Sequence, residues 1–107
     1  VFLGTPRLSD DVLRQSWNVA ARASARATLA CVDTWLTDFR EDVKRVKVPT
    51  LIVHGDADRI LPFEATAKRL PDLIPGSELV VIPQGPHNIL WTFAPEVNAA
   101  LLQFLNK

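Results

Sequence analysis

The sequence predicts an α/β domain built on a parallel strand pair, and three observations lead there. Thr50-Leu51-Ile52-Val53 is a continuous apolar run, the pattern of a strand covered by helices on both faces. A second strand, residues 78–82, follows after a helical stretch, giving strand, helix, strand over roughly 33 residues, the length of a right-handed βαβ unit. The chain then closes on an amphipathic helix whose Val97, Leu101, Leu102 and Leu105 form one stripe.

Taken in order, residues 1–8 hold Gly4 and Pro6 with little periodicity and read as a loop. Ser9 ahead of Asp10 and Asp11 is a helix N-cap with acids facing the positive end of the helix dipole, and Val12, Leu13, Ser16, Trp17 and Ala20 carry the helical spacing over 10–23. A second helix is expected over 25–36, with Leu29, Val32 and Trp35 on one face, so the pair would form a helical hairpin. Trp17 and Trp35 are expected to pack, with one of them lining a pocket as the sharper alternative. Residues 37–47 are a charged connector with a helical turn near 39–43, its charges facing water. A helix is expected over 63–70, ended or kinked by Pro71, which lacks an N–H and clashes with the preceding turn. Pro95 suits the first turn of the final helix, 95–105. Residues 1–44 are thus read as a helical segment with its connector and 45–107 as the βαβα part.

Composition excludes several classes of function. The 107 residues, with 48% hydrophobic and 22% charged, suit one small globular domain. Twelve basic and twelve acidic residues give a net charge of zero, which supplies no reason to propose nucleic acid or an anionic membrane as partner. The single cysteine, Cys31, excludes an internal disulfide and a cysteine-based zinc site, and is expected to be a small buried residue. Two histidines do not make a metal site, and there is no glycine-rich phosphate loop, so no cofactor is expected. No apolar run reaches the roughly 18 residues of a membrane span and no signal peptide is visible, so the expected compartment is cytoplasmic. Methionine is absent and the chain starts at Val1, the expectation being a fragment or processed chain. A lone pair of strands with open edges is marginal, which supports the same expectation.

In open α/β sheets, ligands bind beyond the carboxyl ends of the strands. Asp56, Asp58 and His87 all fall there, in two consecutive loops. Neighbouring strands are about 5 Å apart, so an acid and an imidazole at their ends can meet. The acid would fix the imidazole tautomer and leave the second ring nitrogen as a general base.

Val48 to Pro62 (VPTLIVHGDADRILP), Val80 to Trp91 (VVIPQGPHNILW) and the closing helix together resemble the C-terminal part of an α/β-hydrolase, with the greatest similarity to the cofactor-free (non-haem) haloperoxidases, which act as esterases and perhydrolases. The likeness continues upstream, where residues 16–43 resemble the end of the helical cap, so it covers nearly the whole chain. The family pattern of His-Gly, two variable residues, Asp and a later Pro implies Asp58 as the triad acid, with Asp56 on a variable position and His54 a loop-packing residue. Gly85-Pro86-His87 matches the family turn that carries the triad histidine, which implies His87 as that residue and Ile89 and Trp91 as pocket borders. The substrates implied are small esters or carboxylic acids, with no metal or haem. The family's Gly-x-Ser-x-Gly nucleophile elbow is missing, since Ser9, Ser16, Ser24 and Ser77 all lie outside such a frame. Three readings follow. The chain supplies part of a serine hydrolase and needs the missing N-terminal portion. Alternatively it is an inactive, self-associating structural unit. As a third reading it is a ligand-binding module of another α/β fold, in which Asp58 and His87 would lie out of hydrogen-bonding reach.

Overall fold

The computed structural model describes residues 8–107; the loop expected over 1–8 lies almost wholly outside that range. Helix α1 (Asp10–Ala21) starts as expected, with Ser9 Oγ accepting from Val12 N at 3.4 Å. Helix α2 (Ala25–Trp35) is capped in the same way by Ser24, which accepts from Ala27 N at 3.3 Å. Each cap satisfies one of the N–H groups that a helix start leaves without an intrahelical partner. A short α3 (Arg40–Val43) follows in the charged connector. Its ion pairs Asp38–Arg40, Glu41–Lys44 and Asp42–Arg45 all face water.

Strand β1 (Leu51–Gly55) pairs in parallel with β2 (Glu78–Ile82), Leu51 opposite Glu78 and Gly55 opposite Ile82. The two strands therefore end level with each other. Successive side chains alternate between faces. Val53, Val80 and Ile82 lie on the face that packs with Ile89, Phe93 and Val97, the main apolar cluster. Those last residues come from the short α5 (Ile89–Thr92) and from α6 (Ala94–Leu105), which contacts both strands. An ion pair between Lys107 and Glu78 ties the end of the chain to the start of β2.

The crossover between the strands differs from the helix expected over 63–70. Two 3₁₀ turns, Phe63–Ala65 and Ala67–Arg69, lead into a one-turn α4 (Leu70–Leu73). Thr66 leaves the helical region at φ −125°, ψ −96°, and its hydroxyl donates to the Pro62 carbonyl at 2.9 Å. A β-branched residue that bonds back to the preceding turn in this way replaces the α-helical ladder locally. Pro71 does not stop a helix. It sits in the first turn of α4, where its missing N–H costs nothing.

The helical hairpin expected at the start is also corrected in its packing. Neither α1 nor α2 contributes a buried residue. Trp17 and Trp35 are 73% and 75% exposed, so neither packs, and Cys31 is exposed as well. The apolar faces are present, but nothing among the described residues covers them.

Candidate active site

The level strand ends open into two loops locked by a glycine pair. A Cβ on Gly55 would sit 2.1 Å from the Gly85 carbonyl oxygen, so only glycine permits this approach. Asp56 N donates to Ile82 O at 3.2 Å and Ala57 N to Gly85 O at 3.1 Å, continuing the strand contact into the loops. The Asp56 carboxylate accepts from Gln84 N at 2.6 Å.

This lock brings Asp58 and His87 together. His87 Nδ1 lies 2.8 Å from Asp58 Oδ2. The other carboxylate oxygen, Oδ1, accepts from Ile60 N at 2.8 Å and Leu61 N at 2.9 Å. The Asp58 side chain is only 4% exposed, so its charge has to be stabilised by protein donors. Burial pushes its pKa up, but the bonds from the Leu61 N–H, His87 and the Ile60 N–H outweigh that and hold it below the ordinary carboxylate value. An ionised carboxylate only accepts, so the shared hydrogen belongs to His87 Nδ1. That fixes the imidazole tautomer and directs Nε2 to any base chemistry.

His54, at the end of β1, supports the acid from below. Its Nε2 lies 2.9 Å from the Leu61 carbonyl and 3.4 Å from Asp58 Oδ2, and its ring packs against Phe63 with centroids 5.9 Å apart. The Leu61 backbone is thus held at both of its polar groups, its N–H by Asp58 and its carbonyl by His54. Sequence reasoning placed His54 as a packing residue but missed this polar link, for which the sequence holds no signal beyond the His-Gly pair.

His54, Asp58 and His87 border an open groove of about 610 Å³ whose walls are otherwise mainly apolar, including Ile89, Val97 and Leu101. Ile89 is also part of the core cluster. Trp91 is 44% exposed and lies outside that groove. Of the serines, Ser9 and Ser24 are occupied as helix caps, and Ser77 precedes β2 at the end opposite His87. Among the described residues, no cluster of three or more His, Cys, Asp or Glu side chains could hold a metal ion. No helix among them is long and apolar enough to cross a membrane.

A profile of the alpha/beta hydrolase fold matches residues 2–94. The chain belongs to that family. Among curated relatives, it is 61% identical to a Synechocystis sp. protein provisionally named a non-heme chloroperoxidase, over 98% of this chain and 38% of the relative. It is 32% identical to a bifunctional esterase/perhydrolase of Acinetobacter calcoaceticus, over 92% of this chain and 36% of that protein. The crystal structure of a bromoperoxidase from Bacillus anthracis superposes with a TM-score of 0.90 at 41% identity, covering 95% of this chain and 37% of the other. The chain thus spans little more than a third of the length of these relatives.

Proposed function

We propose that this chain carries the acid–histidine arm of a serine hydrolase triad, with Asp58 as the acid and His87 as the general base. The observation that carries the reading is the 2.8 Å contact between His87 Nδ1 and Oδ2 of a nearly buried Asp58 carboxylate whose Oδ1 is held by two backbone donors. Residues 1–44 correspond in this reading to the end of a helical cap with its connector, and 45–107 to the closing βαβα of the core.

The chemistry follows from the two ring nitrogens. A serine supplied from outside these 107 residues would attack the acyl carbonyl while His87 Nε2 takes its proton. Asp58 holds the tautomer and stabilises the imidazolium that forms. The protonated ring then returns the proton to the departing alkoxide, and water or hydrogen peroxide releases the acyl group as acid or peracid. The names of the relatives, a bifunctional esterase/perhydrolase and a non-heme chloroperoxidase, favour an ester as substrate, with peracid as the oxidant of halide and no haem. Ile89 would border the acyl pocket, whereas Trp91 lies outside the groove and would not.

Reconstitution tests this directly. The chain alone should take up no serine-directed fluorophosphonate probe. Mixed with the portion of the Bacillus anthracis bromoperoxidase that this chain does not cover, it should hydrolyse a nitrophenyl ester. Asp58→Asn and His87→Ala in the mixture should lower that rate about 10³- to 10⁴-fold. Stoichiometric probe labelling of the chain alone, or full activity without His87, would sink the reading.

A second reading is favoured by one observation: Leu29, Trp35, Leu36 and Leu105 are 72%, 75%, 83% and 67% exposed. An apolar surface of this kind suits a self-associating structural unit as well as an enzyme portion. A native mass showing stable homo-oligomers that refuse the complementary portion would favour it.

A further inference from the structure

The Asp58–His87 pair depends on how the histidine loop is held, and one side chain outside the pair holds it. Gln84 adopts φ 58°, the left-handed region, and among the described residues it is the only non-glycine to do so. A side chain with a Cβ is disfavoured there, so the conformation needs support from its surroundings. The Gln84 peptide N–H is bonded by Asp56 Oδ1 at 2.6 Å, a charged acceptor reaching across 28 positions of sequence. Gly85 follows at once, clasped against Gly55, and then Pro86 and His87.

We infer that Asp56 is a positioning residue: its carboxylate clamps Gln84 in the left-handed conformation and so sets the loop that delivers His87 Nδ1 to Asp58. The inference rests on the reading of Asp58 and His87 as a working pair. Asp56 bonds the Gln84 N–H through its carboxylate and is not among the groups that border the groove. It faces solvent at the loop surface, and its own backbone N–H is engaged by Ile82. The clamp therefore acts through the backbone of 84–86.

The measurement is solution NMR of the 107-residue chain, reading the low-field His87 Nδ1 proton and the ring nitrogen shifts. The unsubstituted chain and Asp56→Asn, which keeps an acceptor oxygen, should show the bonded Nδ1 proton. Asp56→Ala should lose it and move the ring nitrogens toward the averaged values of a mixed tautomer. Adding Gln84→Gly to Asp56→Ala should restore the signal, because glycine needs no clamp at that φ. A merely structural carboxylate would not be rescued in this way. A folded Asp56→Ala chain with the signal intact overturns the inference. Should that variant lose its dispersed strand amides, the double variant decides, and a folded double variant without the signal also overturns it. Absence of the signal from the unsubstituted chain removes the pair itself, which separates failure of the underlying reading from failure of the clamp.

Discussion

Asp58 keeps its charge in a nearly dry position because three donors converge on two oxygens. Its folded pKa lies below the ordinary 3.8, so these bonds contribute stability at every pH above that value. The contribution is lost as pH falls from there through the folded value, because the unfolded chain then binds the proton more readily. Thermal unfolding followed by circular dichroism should therefore show a falling midpoint below about pH 4. The fall should be shallower in Asp58→Asn, which has no carboxylate to protonate; equal slopes would contradict the assignment. At this scale the sequence was partly legible. Asp58 and His87 stand out because the His-Gly-x-x-Asp and Gly-Pro-His motifs mark strand ends. The support from His54 and the bond from Asp56 to Gln84 do not stand out, since both depend on how two distant loops approach.

Among the elements, the periodic ones were readable and the strained ones were not. Apolar spacing and caps located α1, α2 and α6, and uninterrupted apolar runs located the strands. The crossover escaped because the Thr66 hydroxyl bonds back to the preceding turn and Pro71 opens a new turn instead of ending one, and periodicity registers neither. Glycine is similarly double-edged. Gly55 and Gly76 look alike in sequence, but one is required by contact and the other by its positive φ of 83° with open space around it. Gly76→Ala should cost about 1 kcal/mol, the strain of a left-handed alanine. Gly55→Ala drives a Cβ into the backbone of Gly85 and should cost more than about 3 kcal/mol, since neither strand end can retreat without parting the loops. Urea unfolding of both variants checks the order, and equal losses would argue against a rigid contact.

At the scale of the whole molecule, the packed part and the uncovered part are different regions. The βαβα segment encloses the core cluster, whereas α1 and α2 bury nothing. Sequence pattern established that Leu29, Val32 and Trp35 share a face but could not say what lies against it, because amphipathicity records a need for cover and not its source. The chain on its own should therefore bind a hydrophobic dye such as anilinonaphthalene sulfonate and run above its monomer mass in dilute buffer. Trp35→Glu with Leu36→Glu should reduce both effects without altering the His87 ring signals, as these sites lie far from the strand ends in sequence. A monomeric chain that binds no dye would contradict an apolar surface awaiting cover.

The parallel register of β1 and β2 has a kinetic consequence. The contacts that join the two loops, Asp56 to Gln84 and Asp58 to His87, both fall within residues 54–87, so a single loop closure gathers them. Closing a loop of this size costs only slightly more entropy than closing one half as long. Once the two strands meet, the acid and the imidazole are in register, whatever the order in which the remaining helices find their places.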